Sequence, residues 1–166
     1  MSLAELNVAD VAAGANMLRQ CCTSERWIEA LLALRPFDSR QSLQDAADEV
    51  WADLAEPDYL QAFDGHPKIG DVSSLKTKYA ATKSLAAGEQ SGVNVATDET
   101  IAALAANNAL YEQRFGFIFI VCASGKSAAQ MLALLLARLD NSREQEVLNA
   151  AEEQRKILQL RLEKLL

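Results

Sequence analysis

Residues that interrupt regular structure are scarce in this chain: its 166 residues include only 7 glycines and 3 prolines. Alanine, leucine, glutamate, glutamine and lysine fill most of the other positions, and these residues favour helices. A chain with so few breakers can form long helices with short connections. The sequence therefore predicts an all-α fold, a single-domain helical bundle of about seven to nine helices over residues 1–166.

Capping residues and apolar spacing indicate where the helices begin and end. We expect helices from Ser2, over Val8 to Cys21, from Ser24 to before Pro36, from about Ser42 to Leu54, over Asp58 to Phe63, from Thr97 or Asp98 through Arg114, over Ser127 to Leu139, and from Ser142 to the C-terminus. Residues 64–94 are the least regular part, with a short helix expected around Leu75 to Leu85. The run from Phe115 to Cys122 is either β-like or a buried helical segment, because periodicity does not separate the two. The Ser127 to Leu139 helix is apolar almost all round, which predicts a central, buried helix.

The charge balance and the single histidine exclude several classes of protein. The chain has 16 basic and 23 acidic residues, a net charge of −7 and a pI near 4.8. This argues against nucleic-acid binding, which needs a basic face. Because His66 is the only histidine, metal sites that need two or more imidazoles are excluded.

The cysteines and the apolar runs bear on localisation. Cys21 and Cys22 are adjacent, Cys122 is distant, and no C-x-x-C spacing occurs, which is typical of a protein from a reducing compartment. The longest wholly apolar stretch, Phe115 to Ala123, is too short to span a membrane, and the N-terminal segment lacks a basic signal-peptide region. We expect a cytoplasmic protein that does not bind membranes.

His66 lies in a stiffened loop between Gly65 and Gly70. Pro67 disfavours the α region for His66 and restricts the backbone after it. Histidine is the side chain best matched to proton transfer near neutral pH. The loop therefore suits a catalytic imidazole, although an exposed polar loop histidine would have the same local sequence.

Two further charged residues are candidates for chemistry. Glu89 lies between Gly88 and Gly92 in the irregular region, where a carboxylate can orient an imidazole or can simply be a solvated turn acid. Arg161 falls within the apolar stripe of the last helix, as Arg138 does in the helix before it. Such a charge needs a partner, which can be a buried carboxylate, a substrate carboxylate held bidentately, or water.

Taken in order, four blocks of the chain resemble one family. They are His66-Pro67-Lys68-Ile69-Gly70, then Glu89-Gln90-Ser91-Gly92, then Phe115-Gly116-Phe117-Ile118-Phe119-Ile120-Val121-Cys122-Ala123, and Leu160-Arg161-Leu162. Their order and spacing resemble the OHCU decarboxylases, which act on 2-oxo-4-hydroxy-4-carboxy-5-ureidoimidazoline in urate breakdown. The resemblance covers nearly the whole chain, and it is the succession of blocks that makes it specific.

This resemblance implies an all-helical, commonly homodimeric enzyme that forms (S)-allantoin and carbon dioxide without metal or organic cofactor. It implies that His66 is the catalytic histidine, Glu89 the carboxylate beside it, and Arg161 the arginine that holds the small anionic substrate. The implied pocket residues are Pro67, Ala86, Ala87, Gly88, Gln90, Phe119, Ile120, Val121, Cys122 and Ala123.

The sequence departs from the family pattern at two positions. Ala86 stands where many relatives have a serine, and Ile118 stands where many have a proline. These differences leave a related decarboxylase with an altered substrate as an alternative. A non-enzymatic helical binding module, in which His66 is an ordinary loop residue, is the other alternative.

Overall fold

A computed structural model of the chain describes residues 1–67, 71–77, 79 and 97–166. Most of these residues are helical and none of them is in a strand, so the predicted all-α class is confirmed. The helices are α1 Leu3–Val8, α2 Val11–Arg19, α3 Glu25–Leu32, α4 Arg40–Ala52, α5 Glu56–Asp64, α6 Asp98–Phe115, α7 Ala128–Leu139 and α8 Arg143–Leu165. A further short helical stretch covers residues 72–77. The rest of the helix expected around Leu75 to Leu85 lies mostly outside the described residues.

The chain divides into two compact units, each with its own buried core. The first comprises Met1–His66 and Val147–Leu166, and the second comprises Pro67–Glu146. Helix α8 contributes its first residues to the second unit and the remainder to the first. That residues 1–166 form a single domain remains our proposal.

The core of the first unit is built from residues of six helices and is anchored by indole hydrogen bonds. Its least exposed large side chains are Leu6, Leu18, Trp27, Ile28, Leu31, Leu43, Phe63, Leu158 and Leu162. Trp27 donates from Nε1 to the carbonyl of Ala47 at 3.2 Å, and Trp51 donates to the carbonyl of Ala151 at 3.0 Å. Since a buried indole N–H needs an acceptor, these bonds fix how α3, α4 and α8 lie within this unit.

The helix predicted over Val8 to Cys21 is shorter than expected. α2 begins at Val11 because the Asp10 side chain accepts a hydrogen bond from the backbone N–H of Ala13 at 2.7 Å. A capping carboxylate of this kind accepts a hydrogen bond from a backbone N–H that has no partner within the helix, and it therefore marks the start of a helix. The helix expected from Ser2 is thus α1, and the helix expected over Val8 to Cys21 is α2, which covers only Val11–Arg19.

Two predicted helix starts also differ in their caps. α4 begins earlier than Ser42, because Ser39 and Ser42 form a reciprocal capping box with both bonds at 3.0 Å. Ser24 occupies the N-cap of α3 but makes no capping bond with its side chain. Instead, the Gln61 side chain accepts the hydrogen bond from the Glu25 N–H at 2.9 Å, a tertiary contact that local sequence does not predict.

Aromatic packing around Tyr111 shapes the second unit. Tyr111 on α6 is fully buried, and its ring centroid lies 4.6, 5.9 and 5.3 Å from those of Phe115, Phe117 and Phe119. Gly116 ends α6 with a φ of 84°, a left-handed conformation that favours glycine. Residues 116–123 then follow as neither helix nor strand, so the run predicted over Phe115 to Cys122 is helical only at Phe115 and joins no sheet.

Helix α7 is less buried than its composition predicts. Ala128, Met131 and Leu135 are buried, whereas Leu134 and Leu136 are 37% and 47% exposed. The helix is therefore not buried on every side, although its sequence is apolar almost all round. Within its unit α7 buries one stripe of residues, and their spacing is that of residues on one face of a helix.

A buried ion pair links α7 to the start of α8 in the second unit. Glu146 is fully buried and accepts hydrogen bonds from Arg138 at 2.7 Å, from Tyr111 at 2.5 Å and from Asn141 at 2.9 Å. Burial raises the pKa of Tyr111, so the phenol keeps its proton and donates it. The predicted need of Arg138 for a partner is met by a protein carboxylate, one of the options that the sequence leaves open.

The side chain of Thr23 packs closely against Gly65, the residue before His66. A Cβ atom on Gly65 would lie 2.0 Å from Oγ1, 2.6 Å from Cγ2 and 2.8 Å from Cβ of Thr23. The φ of Gly65 is −73°, which any residue adopts. Glycine is therefore required here for space and not for backbone conformation.

We predict that Glu146→Gln lowers the free energy of unfolding by about 3–5 kcal/mol, because it leaves the Arg138 charge without its buried counter-charge. Urea denaturation measures the change. Glu152→Gln on the same helix is the matched control: Glu152 pairs with Arg155 but is 52% exposed, so its loss should cost less than about 1 kcal/mol. Equal losses in the two variants would contradict the structural role of Glu146.

We also predict that Gly65→Ala lowers the free energy of unfolding by about 1–3 kcal/mol, the usual cost of overpacking. The companion change Thr23→Gly removes all three atoms that the new Cβ would meet. The double variant should therefore lose less, relative to Thr23→Gly alone, than Gly65→Ala loses relative to the parent chain. If the two losses are the same in urea titrations, the contact with Thr23 is not the cause.

Candidate functional site

His66 lies directly after α5, in the turn that ends this helix. Its backbone N–H donates to the carbonyl of Phe63 at 3.2 Å, and Gly65 is the C-cap. The imidazole is half-buried. Because Pro67 follows, the α region is disfavoured for His66, as expected from the sequence.

The partner of His66 is Gln154 on α8. Nε2 of His66 and Oε1 of Gln154 are 2.5 Å apart, and the two residues belong to the same compact unit. Gln154 is only 1% exposed, so its amide meets the imidazole in an environment with little water. Hydrogen bonds in such an environment are stronger than those at the surface.

Arg161 follows Gln154 by about two helical turns, so both residues lie on nearly the same side of α8. It donates from Nη1 to the carbonyl of Cys21 at 3.4 Å, and its side chain is exposed. The buried positions of the stripe are its neighbours Leu158 and Leu162. The expectation that Arg161 falls within the apolar stripe is thus wrong: it lies at the edge, where the guanidinium reaches water.

Several effects act on the pKa of His66, and together they lower it. Burial makes the largest contribution and lowers the pKa, the hydrogen bond with Gln154 raises it, and the positive charge of Arg161 lowers it. Since an exposed histidine titrates near pH 6.5, His66 is neutral at pH 7. A neutral imidazole can accept a proton and then return it.

The two cysteines beside this site are unsuited to nucleophilic chemistry. Burial raises the pKa of Cys21 to about 11 and that of Cys22 to about 12. Both thiols are therefore protonated at neutral pH, and the thiol form is a poor nucleophile. Cys122, in the other unit, is half-buried and is not part of a disulfide.

The segment Phe119 to Ala123 is held by side chains of its own unit. Arg138 donates from Nη1 to the carbonyl of Ile120 at 2.6 Å, and its guanidinium lies 4.6 Å from the ring centroid of Phe119. Lys126 donates to the carbonyl of Cys122 at 2.6 Å. These bonds use the carbonyls of Ile120 and Cys122, so the other backbone groups of the segment can form hydrogen bonds with different partners.

Some of the predicted site residues belong to the first unit, some belong to the second, and others lie outside the described residues. His66 and Arg161 belong to the first unit, where the charge of Arg161 acts on His66, while Pro67 and Phe119 to Ala123 belong to the second unit. Ala86, Ala87, Gly88, Glu89 and Gln90 lie outside the described residues. Gln154 was not among the residues predicted from the sequence, although a polar residue in register with Leu158 and Leu162 is a signal that could have revealed it.

The described part of the chain has neither a cluster of metal-ligating side chains nor a helix that could span a membrane. In residues 1–67, 71–77, 79 and 97–166, no three histidine, cysteine, aspartate or glutamate side chains are grouped as metal ligands would be. None of the helices described is both long and apolar enough to cross a membrane.

The chain is similar to proteins of urate degradation. It is 32% identical over 152 residues to the "Uric acid degradation bifunctional protein TTL" of Arabidopsis thaliana. The alignment covers 92% of this chain and 47% of that protein. The chain therefore spans about half the length of this relative. It is 32% identical over 131 residues to the 2-oxo-4-hydroxy-4-carboxy-5-ureidoimidazoline decarboxylase of Amia calva, covering 78% of this chain and 73% of that one.

Solved structures and family profiles lead to the same family. A crystal structure of OHCU decarboxylase in the presence of (S)-allantoin matches with a TM-score of 0.70 and 33% identity, over 87% of this chain and 93% of the other. Residues 7–163 match the profile described as OHCU decarboxylase. The matched range includes His66, Gln154 and Arg161, and the chain belongs to the OHCU decarboxylase family.

Proposed function

We propose that this chain is a carboxy-lyase that converts 2-oxo-4-hydroxy-4-carboxy-5-ureidoimidazoline to (S)-allantoin and carbon dioxide in the degradation of urate. The observation that carries the proposal is the state of His66. Its imidazole is half-buried, neutral at pH 7 and hydrogen-bonded to Gln154, and it is subject to the charge of Arg161. These are the properties that a proton carrier beside an anionic substrate needs.

The substrate can lose carbon dioxide without help from a cofactor. The bond between the ring carbon and the carboxylate breaks, and its electron pair moves into the ring toward the adjacent C=N bond. The nitrogen of the former C=N bond and the ring carbon that carries the ureido group then each gain a proton, while the ring hydroxyl loses one and becomes a carbonyl, so one proton is taken up from solvent overall. The protein must therefore orient the carboxylate, stabilise the developing charge and deliver the proton to one face.

We assign these tasks to three residues. His66 transfers the proton, Arg161 holds the anionic substrate, and Glu89 orients His66 and sets its charge state. The neutral imidazole supports the first assignment, and the exposed guanidinium of Arg161 supports the second. The role of Glu89 rests on the family resemblance alone.

We further propose the pocket and cofactor requirements that the resemblance implies. Pro67, Ala86, Ala87, Gly88, Gln90, Phe119, Ile120, Val121, Cys122 and Ala123 line the pocket, and neither a metal nor an organic cofactor takes part. The anchored backbone at Ile120 supports the inclusion of this segment, because a rigid segment can present its amides in a constant geometry.

An anionic substrate must approach a protein with a net charge of −7. At physiological salt, charges more than about 8 Å apart are largely screened. The guanidinium of Arg161 therefore outweighs the distant acidic residues in the binding of the substrate carboxylate. The overall charge is compatible with the proposed activity.

A homodimer and a cytoplasmic location also belong to this proposal. The family resemblance supports the homodimer, and the exposed Leu134 and Leu136 on α7 are apolar surface that a second copy can cover. Cys21, Cys22 and Cys122 form no disulfide, which supports a reducing compartment.

The proposed function is tested by following the chirality of allantoin formed from freshly generated OHCU. We expect accelerated formation of the (S) enantiomer, whereas protonation without enzyme occurs on both faces. His66→Asn should lower kcat by about 10²- to 10⁴-fold, the usual contribution of general acid–base catalysis. Unaccelerated, racemic product with the parent chain would contradict the function, and a loss below tenfold in the variant would contradict the role of His66.

We predict that Arg161→Lys lowers kcat/KM by roughly ten- to a hundredfold, because lysine keeps the charge but cannot form the bidentate contact. Steady-state kinetics on OHCU measures the effect. Arg155→Lys is the matched control on the same helix, since Arg155 pairs with Glu152 and Asp48. If Arg161→Lys behaves like the control, Arg161 is a structural residue.

A further inference from the structure

Gln154 is a buried polar residue on an otherwise apolar side of α8. Ala150, Ala151, Leu158 and Leu162 are its buried neighbours along the helix, and Gln154 itself is 1% exposed. A buried amide is unfavourable unless its hydrogen-bonding groups are satisfied. An apolar residue of similar size would suit this position better if packing were its only task.

The contact with His66 uses only one end of this amide. Oε1 lies 2.5 Å from Nε2 of His66, whereas the amide Nε2 of Gln154 has no hydrogen-bond partner among the described residues. Leaving a buried donor unsatisfied is costly. Among the described residues, the polar group that this amide contacts is the imidazole of His66.

The chemistry of the contact determines where the proton of a neutral His66 resides. An amide oxygen has lone pairs and no hydrogen, so it only accepts hydrogen bonds. The ring nitrogen facing it must therefore carry the hydrogen. In a neutral imidazole this leaves Nδ1 with the lone pair that can take up a further proton.

We propose that Gln154 is a positioning residue that holds His66 in the Nε2–H tautomer, so that Nδ1 is the nitrogen that exchanges a proton with the substrate. The assignment of the tautomer stands on the geometry of this contact. Its catalytic meaning rests on the proposed function. A bond of 2.5 Å to a residue fixed by burial also restricts rotation of the ring.

The same contact acts on the imidazolium that forms when Nδ1 is protonated. The Gln154 oxygen remains bonded to the Nε2–H and raises the pKa of His66, against burial and against the positive charge of Arg161. The thiols of Cys21 and Cys22, which Arg161 also influences, are neutral near pH 7 because burial raises their pKa. Among the described residues, Gln154 thus supplies the stabilising contribution to the charged form.

The first test uses the fact that the chain has one histidine. In untagged, ¹⁵N-labelled protein, a single imidazole gives one pair of ring-nitrogen signals, and their chemical shifts report which nitrogen is protonated. Above the pKa of His66 we expect a protonated Nε2 and an unprotonated Nδ1. Hydrogen on Nδ1, or comparable amounts of both tautomers, would overturn the proposal without any variant being made.

The second test measures the pKa of His66 by the same spectra in two variants. Gln154→Glu keeps the shape and the acceptor and adds a negative charge, so the pKa should rise by about one unit or more. Gln154→Met removes the acceptor, so the pKa should fall by about one unit, the equivalent of one hydrogen bond. Shifts in the same direction, or no shift in either variant, would contradict the proposal.

Gln159→Met is the matched control. Gln159 lies on the same helix and donates to the carbonyl of Gln44 at 2.9 Å and to Asp48 at 2.8 Å. Its loss should change stability but leave both the tautomer and the pKa of His66 unchanged. A control that shifts the pKa of His66 as much as Gln154→Met does would show a general structural effect and overturn the positioning role.

Kinetics separates this inference from the proposed function. If His66 must be neutral to act, the acid limb of the kcat/KM profile should move with the pKa measured by NMR, and Gln154→Met should lower kcat by about tenfold with little change in KM. NMR shifts without any change in the profile would support the role of Gln154 while contradicting that of His66 in the reaction. An unchanged NMR titration would defeat the role of Gln154, whatever the activity.

Discussion

The burial of one side of α8 is the constraint on which the first unit depends. Leu158 and Leu162 are almost fully buried, and the carbonyl of Ala151 accepts the indole hydrogen bond of Trp51. These contacts fix the rotation of the helix about its axis. Because Gln154 and Arg161 are spaced by about two turns of this helix, the same rotation determines where both polar groups lie. Core packing in this unit therefore also sets the geometry around His66.

In the second unit a buried charge has a comparable role. Glu146 gathers hydrogen bonds from Arg138, Tyr111 and Asn141, and Arg138 in turn holds the carbonyl of Ile120. The segment after α6 is thus anchored by a guanidinium instead of a sheet ladder. A buried ion pair of this kind contributes little net stability compared with an apolar replacement, but it defines one geometry. Here that geometry belongs to a segment that the family resemblance places at the pocket.

The environment of His66 combines effects of opposite sign. Burial and the charge of Arg161 favour the neutral ring, while the oxygen of Gln154 favours the charged ring. An imidazole balanced in this way is neutral at rest and can still accept a proton, which suits a reaction whose substrate provides its own electron sink. In decarboxylation of this type the protein must orient the substrate and transfer a proton to one face. A single histidine is sufficient for the proton transfer.

Local sequence was sufficient for the helical class, for most helix positions and, through the succession of motifs, for the family with His66 and Arg161 as candidates. It was sufficient because propensity, capping and motif spacing depend on nearby residues. It did not predict that Gln61 caps α3, that α7 leaves leucines exposed, that Arg161 lies at the edge of its stripe, or that Gln154 contacts His66. These features join residues 36 and 88 positions apart, or depend on which helix faces are covered. Only packing in three dimensions decides them, because neither the partner nor its distance is encoded in the local pattern.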